Sequence, residues 1–343
     1  MNAIRTERLR KVYPLQAPKR RGPSSPGFLP PAGGATPSAR ADGTGPRELV
    51  ALEGLDLDVG AGEFFGLLGP NGAGKTTTIG ILTTRVLASG GRAEVAGADV
   101  IRNPVEVRRR IGVVPQRANP DRALSVLENL VFHAAYFGIA RGEATRSAVS
   151  LLDQLGIGDR QDSTVDALSG GQQQRLMIAR ALIHQPEVIF LDEPTVGLDP
   201  QARLALWEVL RQLHREGRTI VMTTHYMEEA EQLCERIAIV DRGVLLALDS
   251  TAALRARAPG GTLIDLDLDG QADEAAARVR SVTGVTMAEA VGETLRVQSS
   301  AGGRVISAVI EAAEGAGRHV RNISLEEPSL ETLFISLTGR KLD

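Results

Sequence analysis

The sequence predicts an α/β protein: a domain built on a parallel sheet that carries a helical insertion, followed by a small α+β domain. Three observations lead there. Between about 48 and 250, short apolar runs of β character alternate with helical patterns, the rhythm of a parallel sheet with helices between its strands. From about 117 to 184 that rhythm gives way to mostly helical periodicity. From about 260 the predicted order is β-α-β-β-α-β, a ferredoxin-like arrangement. A length of 343 residues suits one large domain and a smaller one, and the boundary is placed at 255/256.

The elements follow in chain order. Residues 14–46 contain 8 of the 17 prolines and almost no large apolar side chains. Such a segment cannot bury enough surface to offset its ordering entropy, so a disordered insertion is expected there. Val12-Tyr13 and Leu49–Leu52, which flank it, read as adjoining strands of one hairpin. The runs Phe64–Leu68, Ile111–Val114, Val188–Leu191, Thr219–Met222 and Ile237–Val240 read as buried strands. In the helical insertion, Leu127, Leu130, Val131 and Ala134 share one face, and Val149, Leu152 and Leu155 another. A helix is predicted over Gln173–Ile183. Beyond the boundary, strands are predicted at Thr262–Leu268, Thr286–Ala290, Thr294–Gln298 and His319–Ser324. Helices are predicted at Ala272–Val282, Val305–Ala313 and Ser329–Leu337.

Composition narrows the function. A formal net charge of −3 argues against nucleic-acid binding through bulk positive charge. One cysteine, Cys234, excludes an intramolecular disulfide framework and a Cys-based zinc cage. No stretch approaches the roughly 18–20 apolar residues of a membrane span, and Met1–Lys11 lacks a signal-peptide core. A cytosolic chain is expected, with any membrane crossing done by other chains.

Three motifs carry chemistry. Gly69-Pro-Asn71-Gly72-Ala-Gly74-Lys75-Thr76 fits G-x-x-x-x-G-K-[ST] between a predicted strand and a helix, and Thr77 follows it. Its glycines allow backbone N–H groups to close around phosphate oxygens, Lys75 reaches the β/γ-phosphates, and Thr76 can ligate Mg²⁺. The strand Val188–Leu191 runs into Asp192 and Glu193, carboxylates at its C-terminal end, where phosphate-site loops converge in α/β sheets. Asp192 would hold Mg²⁺ through water, and Glu193 would polarise an attacking water. Leu168-Ser169-Gly170-Gly171-Gln172 opens a helix; by itself it reads as a capped helix start, with Ser169 as the N-cap. His133, His184, His214 and His319 lack partner spacing and read as structural, Cys234 as a packing position on a helix, and Arg108–Arg110 as a solvated helix face.

Together and in this order, the motifs resemble the nucleotide-binding subunit of an ABC transporter, over about residues 3–13 and 48–255. Leu168–Gln172 matches the family signature, Gln116 in Val113-Val-Pro-Gln116 the Q-loop, Gly197-Leu-Asp199 the D-loop, and His225 the switch histidine. Tyr13 in Lys11-Val-Tyr13 matches the aromatic that stacks on adenine. The tail, with Glu327–Phe334 and Leu337-Thr-Gly-Arg340, is similar to that of daunorubicin-resistance-type ATP-binding subunits. The departure from the family is the 14–46 insertion, where a short turn is usual.

The resemblance implies a P-loop NTPase fold and hydrolysis of ATP with Mg²⁺. Glu193 would be the base, His225 and Gln116 would complete the catalytic site, and Gln116 would also serve the metal with Thr76 and Asp192. Tyr13, Asn71, Gly72, Gly74, Lys75, Thr76 and Thr77 would hold the nucleotide. Ser169, Gly170, Gly171, Gln172 and Asp199 would serve the nucleotide across a dimer, formed with a second copy or a similar chain. The implied partners are ABC-2 type permease subunits, engaged through the surface near 117–140 at the cytoplasmic face of the membrane. The implied cargo is a drug or another hydrophobic solute. An ATPase of this family acting in translation or DNA maintenance would be expected to carry two nucleotide domains or long coiled coils, and a non-hydrolysing regulator to lack Glu193 or His225. The sequence has neither trait.

Overall fold

A computed structural model describes residues 2–14, 48–117, 119–259 and 261–340. The expected insertion at 14–46, including Lys19-Arg20-Arg21, lies outside the described residues apart from Pro14. The chain divides into two compact units, one reaching Asp249 and the other beginning at Ser250.

In chain order the strands of the first unit begin with β1 (Asn2–Pro14), β2 (Glu48–Gly60), β3 (Phe64–Leu68), β4 (Gly90–Val95) and β5 (Ala98–Asp99). They continue with β6 (Ile111–Val114), β7 (Val188–Asp192), β8 (Thr219–Thr224), β9 (Arg236–Asp241) and β10 (Val244–Ser250). Its helices are α1 (Lys75–Leu82), α2 (Pro104–Arg110), α3 (Val126–Ala135), α4 (Arg141–Gln154), α5 (Gly170–Leu182), α6 (Pro200–Arg215) and α7 (Met227–Leu233).

Six strands form the central sheet in the order β10-β9-β3-β8-β7-β6, with β6 through β9 paired in parallel. Strands β3 and β7 are buried at every position, the pattern of strands covered on both faces. A second sheet, β2-β1-β4-β5, is antiparallel and places Tyr13 opposite Leu49. The sheet interior and the helix after the glycine-rich loop share one core, to which Phe65, Leu67, Ile79, Ile81, Phe190 and Val221 contribute.

Two close approaches fix strands to their neighbours. A Cβ on Gly112 of β6 would overlap the carbonyl oxygen of Ala181, so only glycine lets α5 lie this near the sheet. A Cβ on Gly66 of β3 would come within 2.8 Å of the Cys234 Sγ. Cys234 is buried just past the end of α7, so its packing role stands but it does not sit on the helix.

The insertion is helical, with two adjustments. In α3 the buried positions are Val126, Asn129, Leu130 and Ala134, while Leu127 and Val131 are only half-buried. In α4 they are Ala144, Ala148 and Leu152, so Val149 is marginal. The helix expected from Gln173 starts at Gly170. Ser169 caps it, accepting from Gln172 N while the Gln172 side chain returns to Ser169 N, a reciprocal capping box. The same device, Ser125 with Glu128, starts α3. Arg108 and Arg109 are solvated, but Arg110 bonds Glu106 and the Ala96 carbonyl.

The second unit comprises α8 (Thr251–Ala256), β11 (Thr262–Leu268), α9 (Asp273–Val279), β12 (Val285–Val291), β13 (Thr294–Ser299), α10 (Ile306–Glu314), β14 (Val320–Glu326) and α11 (Leu330–Thr338). Its sheet runs β12-β13-β11-β14 with every pairing antiparallel. Ile264, Leu266, Leu295 and Val297 meet Ala276, Val279 and Val309 of the helices in a separate core. Helix α8 groups with this unit, so the structural division falls six residues before the 255/256 boundary. Arg255 on α8 pairs with Glu327 and bonds the Pro328 carbonyl ahead of α11.

Candidate functional site

Three parallel strands end at one place, and each delivers part of the site. Strand β3 leads into the glycine-rich loop, β7 ends in Asp192 and Glu193, and β8 ends just before His225. In the loop, Gly72 and Gly74 have φ of +82° and +104°, backbone that favours glycine, and a Cβ at Gly74 would lie 2.6 Å from the Ala51 carbonyl oxygen. Helix α1 begins at Lys75, so the N–H groups of its first turn have no partner within the helix. Asn71, Gly72 and Thr76 are exposed and Thr77 half-buried, which leaves the outer rim of the loop open to a ligand.

Glu193 is the centre of the polar contacts. It is 6% exposed and has φ +49°, a left-handed conformation uncommon for an L residue. Its N–H donates to the Thr223 hydroxyl at 3.0 Å, which holds that turn. Lys75 Nζ lies 3.1 Å from Glu193 Oε1 and also donates to the Gly69 and Pro70 carbonyls. His225 Nδ1 lies 3.4 Å from the same Oε1, and Gln116 Nε2 donates to Oε2 at 3.0 Å.

Burial alone would raise the Glu193 carboxyl, but the His225 hydrogen bond and the Lys75 charge prevail and hold it at about 2. At Lys75 the balance is reversed: burial lowers the ammonium's pKa, and Glu193 and Asp192 only partly oppose it. Asp192 is 4% exposed. Burial raises its carboxyl against the stabilising hydrogen bonds from Thr223 Oγ1 (2.7 Å) and Thr76 Oγ1 (3.3 Å).

The structure thus brings Lys75, Thr76, Asp192, Glu193, Gln116 and His225 into one bonded cluster. Ser169, Gly170, Gly171 and Gln172 are not bonded to it. Their neighbours are Leu198 and Ala202, at the start of α6: a Cβ on Gly171 would touch the Ala202 Cβ at 3.1 Å. Asp199 caps α6 by accepting from Ala202 N at 2.8 Å. Ser169, Gly170 and Asp199 are all exposed, hence open to another chain. Tyr13 lies on β1 with Lys11 Nζ 4.7 Å above its ring, outside the cluster.

Thr223, which grips both carboxylate-bearing residues, escaped the sequence reading. The signal was present as a buried threonine in the run that leads to His225, on a strand buried at every position. His184 and His214 have structural contacts, stacking on Phe137 at 3.7 Å and bonding the Gly62 carbonyl. On the helical insertion, Asn119, Asp121, Phe132, His133, Tyr136 and Arg180 line an open recess of about 330 Å³, from which Phe132 and Tyr136 protrude.

The donor set fits a magnesium nucleotide. Among the described residues no group of three or more His, Cys, Asp or Glu could enclose a metal by itself. A carboxylate and a hydroxyl, Asp192 and Thr76, instead offer the few hard oxygens Mg²⁺ takes when phosphates and water supply the rest. A buried ammonium and free helix N–H groups beside them suit the phosphates.

Residues 52–196 match the ABC transporter family. The chain is 37% identical over 295 residues to the linearmycin resistance ATP-binding protein LnrL of Bacillus subtilis (strain 168), spanning 85% of this chain and 94% of that protein. It is 39% identical to the daunorubicin/doxorubicin resistance ATP-binding protein DrrA of Streptomyces peucetius, over 85% and 89% of the two chains. It is 38% identical to the Nod factor export ATP-binding protein I of Paraburkholderia xenovorans (strain LB400), over 86% and 94%. Among solved structures it resembles the dimeric form of a bacterial ABC transporter cassette, with TM-score 0.58 and 26% identity over 72% of this chain and 98% of that one. A dimeric post-hydrolysis state of that cassette with ADP and Pi gives TM-score 0.57 at 25% identity, over the same shares.

Proposed function

The chain belongs to the ABC transporter family, and from that premise we propose a residue-level account of how it couples ATP hydrolysis to export. It is an ATP-hydrolysing subunit that energises efflux. The observation that carries the account is the set of contacts on Glu193: Lys75, His225 and Gln116 all reach one buried carboxylate beside the phosphate loop.

Backbone N–H groups of Asn71–Thr77 and the Lys75 ammonium bind the β- and γ-phosphates, and Tyr13 stacks on the adenine. Thr76, Asp192 and Gln116 would hold Mg²⁺, which would supply neutralisation of the phosphate charge. Water attacks the γ-phosphorus and gives its proton to Glu193; the bond to the ADP oxygen breaks, and phosphate leaves with ADP. His225 donates a hydrogen bond to the γ-phosphate and Gln116 orients the water. As Lys75 and His225 turn to phosphate, the Glu193 carboxyl loses the partners that depress it and becomes a better base.

Ser169, Gly170, Gly171, Gln172 and Asp199 act on the nucleotide of a second subunit, a copy of this chain or a similar one. The exposure of Ser169, Gly170 and Asp199 and their local cap bonds support that reading, and so does the dimeric state of the similar cassettes. The membrane partners are ABC-2 type permease chains, engaged at the recess beside Phe132 and Tyr136, with this subunit on the cytoplasmic face. No described helix is long and apolar enough to cross a membrane, which supports separate spanning chains. The names of the relatives point to a drug or another hydrophobic solute as cargo.

Glu193→Gln keeps shape but removes the base. Turnover should fall at least about 10²-fold while ATP still binds and holds a dimer visible by size-exclusion chromatography. Mixing Ser169→Arg with Lys75→Ala subunits should restore some hydrolysis, because a head-to-tail dimer of the two rebuilds one complete site. Mixed dimers that form but stay inactive would count against shared sites.

A further inference from the structure

A second polar cluster is buried behind the hydrolytic residues, between α6 and α7. Glu229 on α7 has no exposed surface. Trp207 on α6 donates its indole N–H to Glu229 Oε1 at 3.2 Å. The hydroxyls of Thr224 and Thr195 face the same carboxylate. Thr195 Oγ1 and Glu229 Oε2 have no hydrogen-bond partner among the described residues. The Arg203 guanidinium stands over the rings of both Trp207 and Tyr226, at 5.9 and 5.8 Å.

These contacts close a circuit with the site. Thr224 immediately precedes His225 and accepts from the Tyr226 N–H at 2.9 Å. The Tyr226 ring lies 4.1 Å from that of His225. Thr195 lies two residues after Glu193, at the head of the segment that ends in Asp199, the cap of α6. A buried carboxylate is a costly way to join two helices, since an apolar side chain of similar volume would pack there as well. What Glu229 adds is polar contact with the loop that carries His225.

We infer that Glu229 is a positioning residue for ATP hydrolysis, holding Thr224 toward Trp207 so that His225 keeps its place beside Glu193. This rests on the hydrolytic roles of those two residues given above.

The test uses the full-length chain. Glu229→Ala should lower kcat about tenfold or more, the scale of a misplaced catalytic group. KM for ATP should stay within about twofold, because phosphate binding is left intact. Glu229→Gln keeps an acceptor for the indole and should recover most of the rate. Trp207→Phe removes the indole donor along with part of the ring, should lower kcat in the same sense with KM for ATP unchanged, and carries the comparison should Glu229→Ala not fold. In a His225→Ala background Glu229→Ala should add no further loss, because it acts through that residue. Equal fractional losses in the two backgrounds, or a Glu229→Ala kcat within about twofold of the parent, would overturn the inference.

Trp207 is the only tryptophan of the chain, so its emission reports on this cluster without hydrolysis. ATP should change it in the parent and in Glu229→Gln but not in Glu229→Ala; a parent emission indifferent to ATP also overturns the inference. If His225→Ala hydrolyses ATP like the parent, the role of His225 has failed instead, and the emission arm still judges Glu229.

Discussion

At Glu193 one side chain accepts from a glutamine and pairs with a lysine, with a histidine ring nitrogen 3.4 Å away, while its own backbone is held at φ +49°. The energetic consequence has a definite sign. The carboxyl stands at about 2 in the folded protein against 4.5 for an unperturbed glutamate, so it loses its proton more readily folded than unfolded. Its contribution to stability is therefore complete above about 4.5 and fades as pH falls through that value toward 2. Urea denaturation across that window should show a shallower loss of stability for Glu193→Gln than for the parent; identical acid limbs would mean the partners of Glu193 do not depress it. Most of this site was legible in the sequence, because the phosphate loop and the Asp-Glu strand end are local patterns whose backbone chemistry dictates their residues. Thr223, Glu229 and Trp207 were not legible. Their meaning lies in contacts across 22 to 31 positions of sequence, which no periodicity announces.

Elements set how the signature is presented. Ser169 begins α5, and near the other end of the helix the Ala181 carbonyl abuts Gly112 of β6. The helix is therefore pinned to the sheet at one end and offers exposed Ser169 and Gly170 at the other. Gly112→Ala forces strand and helix apart against rigid backbone and should destabilise the protein by about 1–3 kcal/mol, the range for overpacked cores, as read from denaturant midpoints. An unchanged midpoint would show that α5 yields freely. The start of α5 was readable at Ser169-x-x-Gln172, a capping box, although the expected helix was placed from Gln173, three residues after its actual start. The strands of the central sheet matched expectation more closely because continuous apolar runs leave little choice of boundary.

Over the whole molecule, the two units have separate cores, and only the first contains the phosphate loop. Calorimetry should resolve two transitions, with MgATP raising only the one that belongs to the first unit, since a ligand stabilises what it binds. A shift of both by the same amount would mean that the units unfold together. The β-α-β-β-α-β order of the second unit was readable from alternation and turns, whereas α8 was assigned to the first unit because nothing in its six residues reveals which core takes Leu254. The packing of Cys234 against Gly66 gives this molecule an internal clock. The sole thiol of 343 residues is buried where the end of α7 meets the strand that feeds the phosphate loop, and burial pushes its pKa well above the usual thiol range. An alkylating reagent can reach it only while α7 lifts from β3, so the rate of modification measures how often α7 leaves its seat. A nucleotide that engages His225 should slow that reaction in proportion to its hold on the closed form, making a single chemical label a counter of openings near the centre of the enzyme.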